Sequence, residues 1–143
     1  MWQGMAIYEP QILERLVALT YWLLGAELLW VARIYSVLFW TLGGMALFLL
    51  ARKATSFAGG ITSLACYLFV PLGVFASRAF QPDPLMVALL LWAAYAAYRW
   101  SEARSWRWAL LTGLFSGLAV LIKAPAFFQV GWLLIFTVLS GWG

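Results

Sequence analysis

The chain has 143 residues, room for one domain, but 66% of it is hydrophobic and only 10% charged. Soluble domains run at roughly 45–50% and about 25%, so an ordinary soluble fold is excluded. The formal charge of +4 is small and spread along the chain; basic residues at membrane loops account for it, and nucleic acid is not an expected partner.

These numbers point to an integral membrane protein of the all-α class. We expect a polytopic helical bundle of about five transmembrane helices, preceded by an interfacial amphipathic helix, in a single domain over residues 1–143. Cys66 is the lone cysteine, so no intramolecular disulfide can form, and histidine is absent, which removes imidazole bases. Residues 1–8 lack the basic-then-apolar pattern of a signal peptide.

Taken in order, residues 9–25 open at Glu9-Pro10, with proline where a first helical turn tolerates it. Ile12, Leu13, Leu16, Leu19, Trp22 and Leu23 then recur at helical spacing, with Glu14 and Arg15 on a polar side. That length and amphipathicity predict a helix lying in the interface. Spans are predicted at 30–51, 57–76, 85–99, 107–122 and 125–140. Pro71 is expected to kink the second. A polar connection separates the third from the fourth, and Lys123-Ala124-Pro125 interrupts between the fourth and fifth. Gly113 and Gly117 form a GxxxG pattern, read as close packing inside the bundle in preference to a dimer face. Cys66 and the methionines read as core filling.

The distinctive stretch is Ser77-Arg78-Ala79-Phe80-Gln81-Pro82-Asp83-Pro84. Each proline lacks an N–H and pushes its predecessor toward extended geometry, so Asp83 is expected to project from a stiff, non-helical turn. A solvated connecting loop is the plain alternative. With five alternating spans, Arg52, Lys53, Arg99, Arg104 and Arg107 fall on one side of the membrane and Arg15, Arg33, Arg78 and Lys123 on the other. The first set clusters in polar loops and reads as cytoplasmic. In the second, Arg33, Arg78 and Lys123 sit singly at membrane edges with Asp83 and Glu9 nearby, where ionisable groups are functional candidates. Arginine grips phosphate in two-pronged fashion and lysine as a point charge, so the set suits a lipid-linked phosphate. Asp83 is read as binding a divalent cation or orienting an arginine. Taken singly, Arg33 and Lys123 fit snorkelling to headgroups as well. Glu14, Arg15, Glu27 and Glu102 read as solvated.

Tyr8-Glu9-Pro10, the helix ending at Leu24-Gly25, and Ala32-Arg33-Ile34-Tyr35-Ser36 resemble the first-loop helix and following span of GT-C glycosyltransferases. The branch is that of protein O-mannosyltransferases and lipid A aminoarabinose transferases. Ser77-Arg78 with Gln81-Pro82-Asp83 resembles a later loop of that branch, and residues 113–123 (GLFSGLAVLIK) resemble one of its spans. The resemblance implies inverting transfer of a hexose or pentose from a polyprenyl-phosphate-linked donor, assisted by a divalent metal (Mg or Mn), on the extracytoplasmic side of the cell membrane. It places Arg33, Arg78 and Lys123 at the donor phosphate, with Gln81, Pro82 and Asp83 as the supporting loop. Glu9 matches an acidic metal-binding position before proline, although the intervening lysine of that pattern is absent. The family's catalytic base is an acidic residue after an earlier transmembrane helix, which has no counterpart upstream of Glu9, and its members continue past Gly143. The chain thus reads as an internal or truncated piece of such an enzyme, with the sugar and acceptor unspecified. The alternative is a non-catalytic membrane module that binds polyprenyl phosphate or assembles with a larger complex. A small transporter has little support, because no span carries a mid-membrane polar pair.

Overall fold

A computed structural model describes residues 12–25, 28–70 and 82–140. Six helices and no strands occur among them: α1 (Ile12–Leu24), α2 (Leu29–Ala54), α3 (Phe57–Phe69), α4 (Asp83–Ala103), α5 (Trp106–Ile122) and α6 (Ala126–Ser140). The all-α class is as expected.

At 26 residues α2 is about 39 Å long, enough to cross about 30 Å of hydrocarbon. Among the described residues it is the one helix both long and apolar enough to span, over Trp30–Ala54. Phe57–Phe69, Trp106–Ile122 and Ala126–Leu139 are apolar but shorter. The predicted second span reached residue 76; α3 ends at Phe69, and Pro71 lies outside the described residues.

Local chemistry sets the turns. Thr55 ends α2 with its hydroxyl donating to Ala51 O at 2.8 Å, and Ser56 caps α3 by accepting from Gly59 N at 3.1 Å. The result is a tight α2–α3 hairpin, joined by Trp40 stacked on Tyr67 with centroids 4.1 Å apart.

Helix α4 is the centre of the bundle, packing on α2, α5 and α6. It runs parallel to α2, since Phe39 and Leu42 lie against Leu85 and Ala88 at one end while Lys53 meets Glu102 at the other. Its buried residues include Ala88, Ala93, Ala96 and Ala97, whose small side chains let three neighbours approach closely. Gly43 marks a close approach of α2 to α4: a Cβ there would lie 2.8 Å from the Tyr67 hydroxyl and 3.2 Å from the Ala88 backbone.

Two boundaries of α4 differ from expectation. Asp83 is the first helical residue, not part of a non-helical turn, because Pro84 falls in the first turn, where no N–H is needed. At its far end the helix absorbs the predicted polar connection up to Ala103, since Arg99 and Glu102 pair across one turn at 3.4 Å and Glu102 also binds Lys53. Arg104 then reverses the chain in left-handed geometry, φ 48°.

The GxxxG reading is overturned. Gly113 and Gly117 are exposed, and a Cβ on either meets nothing within 4 Å. The α5 face buried in the bundle instead carries Thr112, Ser116, Ala119 and Ile122. Cys66 is also exposed and fills no core.

Helix α1 rests on α2 through buried Leu13 and Val17 and a 2.8 Å hydrogen bond between the Thr20 and Tyr35 hydroxyls. The adjacent lane of Leu16, Leu19 and Leu23 stays exposed.

Candidate functional site

The site is built where the start of α4 meets the end of α5. Pro82 occupies the N-cap of α4 in helical geometry (φ −71°, ψ −10°), and its carbonyl accepts from Met86 N at 3.0 Å. Asp83 follows in the first turn, where a carboxylate is favoured by the helix dipole. The side chain of Pro84 is fully buried and anchors this turn to the bundle.

Helix α5 stops because Lys123 turns to extended geometry (φ −151°, ψ 121°) ahead of Ala124-Pro125. Its carbonyl accepts from Ala126 N at 3.0 Å, closing a tight turn into α6. That turn directs the ammonium at α4: Lys123 Nζ donates to Asp83 Oδ1 at 2.6 Å, a short charge-assisted bond between half-exposed groups.

Between α2, α4 and α5 lies an apolar cleft of about 300 Å3 lined by Phe39, Leu42, Leu85, Leu89, Trp92 and Phe115, the first of its α4 residues two positions along from Asp83. A charged pair at the rim of the bundle, with an apolar cleft along the same helix, is chemically suited to an amphiphile with an anionic head. The direct lysine–carboxylate contact was not anticipated, because forty residues separate the partners and no local pattern pairs them. The cleft aromatics were missed too, since in sequence they are indistinguishable from core.

Of the predicted site residues, the structure brings Asp83, Pro82 and Lys123 together. Arg33 lies at the same end, because α2 and α4 run parallel, but it is exposed and joined to no described residue by an ion pair. Arg78, Gln81 and Glu9 lie outside the described residues.

No group of three or more metal-ligating side chains occurs among the described residues. Asp83 fits a divalent cation poorly, because the ammonium on its Oδ1 competes for the same lone pairs. A metal reading therefore rests on Glu9.

At the opposite end Glu102 is held by both Lys53 at 2.9 Å and Arg99 at 3.4 Å. The expected solvated carboxylate is thus a tie between α2 and α4.

An all-helical bundle with small polar residues inside and large apolar ones outside defines the class as a membrane-type helical protein. Residues 9–143 match the dolichyl-phosphate-mannose-protein mannosyltransferase family. The chain belongs to that family, and so to the GT-C glycosyltransferases. No curated protein and no solved structure matches it.

Proposed function

We propose that this chain forms part of the donor-lipid site of a multi-pass membrane glycosyltransferase, which transfers a sugar from a polyprenyl-phosphate carrier with inversion at the anomeric carbon. The observation that carries the reading is the Asp83–Lys123 pair at the start of α4, whose following turns line the apolar cleft, in a chain of this family.

In such a transfer an acceptor hydroxyl attacks the anomeric carbon from the face opposite the phosphate, and the bond from that carbon to the phosphate oxygen breaks. The leaving polyprenyl phosphate gains a negative charge. Cations already in place at that oxygen stabilise the charge as it develops, without reorganisation. Lys123 is the described residue suited to this role, with Arg33 and Arg78 as further donors. Asp83 aims the ammonium, and the cleft takes the first part of the lipid chain. The concentration of basic residues at the opposite end of the bundle supports an extracytoplasmic position for this rim.

The experiment is a transfer assay with polyprenyl-phosphate mannose in membranes carrying the protein. Lys123→Met is expected to lower kcat/KM about a hundredfold, the scale of removing one preorganised donor. Undiminished transfer in that variant would remove Lys123 from the site. A second reading, binding without turnover, is favoured by one observation: the rim carboxylate, Asp83, already accepts from Lys123 and is poorly placed to take an acceptor's proton. Retention of radiolabelled polyprenyl phosphate with no sugar turnover, by protein shown to be intact, would select it.

A further inference from the structure

The cation at the start of α4 comes with an anion of its own. Lys123 Nζ gives one proton to Asp83 Oδ1 at 2.6 Å. An ammonium has three donors, so two remain for a ligand. A phosphate oxygen taking one of them at about 2.8 Å would sit, across the tetrahedral angle at nitrogen, roughly 4–5 Å from the carboxylate oxygen. The side chains are only 29% and 34% exposed, so water and salt screen that contact incompletely. Any anion drawn to Lys123 therefore meets a negative charge at close range.

Read as a donor-lipid site, this end binds two lipids of unequal charge in each cycle. The sugar-bearing donor is a phosphodiester with a single negative charge. During transfer the electron pair of the broken carbon–oxygen bond stays on the phosphate oxygen, and the acceptor hydroxyl loses its proton to solvent. The product is a phosphomonoester, which carries about −1.5 to −2 at pH 7. Lys123 attracts both lipids, as does Arg33, exposed at the same end of α2. Asp83 repels both, and the product more strongly, in proportion to the charge it has gained. Stripping water from the more highly charged head adds to the difference.

We propose that Asp83 sets a preference for phosphodiester over phosphomonoester at Lys123, so that the spent carrier is expelled as transfer completes. The inference rests on the donor-lipid reading given above. To the carboxylate's role of aiming the ammonium it adds the discrimination of substrate from product by charge.

Membranes carrying the full chain are loaded with radiolabelled polyprenyl-phosphate mannose, which is then displaced by polyprenyl monophosphate or by its methyl diester. The two competitors differ by one methyl group and one ionisation. With the unaltered chain the methyl diester is expected to displace the donor at least as well as the monoester. Asp83→Asn keeps an oxygen for the ammonium but removes the charge, and is expected to shift the ratio toward the monoester about tenfold, the scale of one added charge beside a carboxylate near a protein surface. Asp83→Glu keeps the charge and is expected to keep the preference. A purely structural role for Asp83 would weaken both lipids alike and leave their ratio unmoved. An unmoved ratio in Asp83→Asn, loss of the preference in Asp83→Glu, or a monoester that outcompetes the diester on the unaltered chain would each overturn the proposal and leave the donor-lipid reading standing. Failure of the unaltered chain to retain the labelled donor would overturn that reading, and the proposal with it.

Discussion

Lys123 and Asp83 show how one contact carries two kinds of consequence. With both groups half-exposed, the pair's contribution to stability is about 1 kcal/mol or less. Asp83→Asn should therefore lower thermal stability only slightly, while freeing the ammonium from its aim and impairing transfer. Joint measurement of melting and transfer rate separates the two effects. A collapse of both together would mean that the pair holds the bundle and does not tune the site.

The glycines divide sharply at this scale. Gly43→Ala forces a methyl to 3.2 Å from the Ala88 backbone and against the Tyr67 hydroxyl, so α2 and α4 must move apart, at about 1–3 kcal/mol. Gly113→Ala meets open space on an exposed helix face and gains helix propensity, with an expected stabilisation of up to about 1 kcal/mol. Denaturation of the two variants in detergent checks both signs. A sequence shows each position simply as glycine; only the neighbour across the interface tells them apart.

At the scale of elements, α4 departs furthest from its sequence reading. Charges at both ends make it look short and marginal, yet it is the helix the others pack around. Proline in the first turn extends it backward to Asp83, and ion pairing at Glu102 extends it forward to Ala103. The Arg99–Glu102 half of that pairing is local, but the Lys53 half comes from another helix, and no window of local residues could reveal it. The α2–α3 turn, by contrast, is set by the Thr55 and Ser56 hydroxyls, because a cap acts through neighbours in sequence. Ser56→Ala removes that cap and should cost about 1 kcal/mol, read as lower stability and faster amide exchange in the first turn of α3.

Across the whole molecule the distribution of side chains is reversed from that of a soluble protein. Ser36, Thr112, Ser116 and Thr137 are buried, and Thr112 and Thr137 donate to carbonyls one turn back. Leu110, Leu114, Phe127, Phe128, Trp132 and Phe136 face outward. In water the outer surface would expose a large apolar area, whereas hydrocarbon solvates it and leaves close packing of small residues to join the helices. The unequal charge at the two ends gives an orientation that can be measured. In a Cys66→Ser background, Arg107→Cys is expected to react with an impermeant thiol reagent only from the cytoplasmic side, and Ala124→Cys only from the outside. The reverse pattern would place the Asp83–Lys123 rim in the cytoplasm.

The all-helical class, the membrane setting and the kinship with GT-C enzymes followed from the chain alone, because hydrophobic composition, helical periodicity and ordered short motifs are properties of sequence. Which cation meets Asp83, which glycines bear on a neighbour and which helix stands at the centre were decided only on folding. Each depends on residues tens of positions apart, brought together by the parallel pairing of α2 with α4 and the return of α5 along α4.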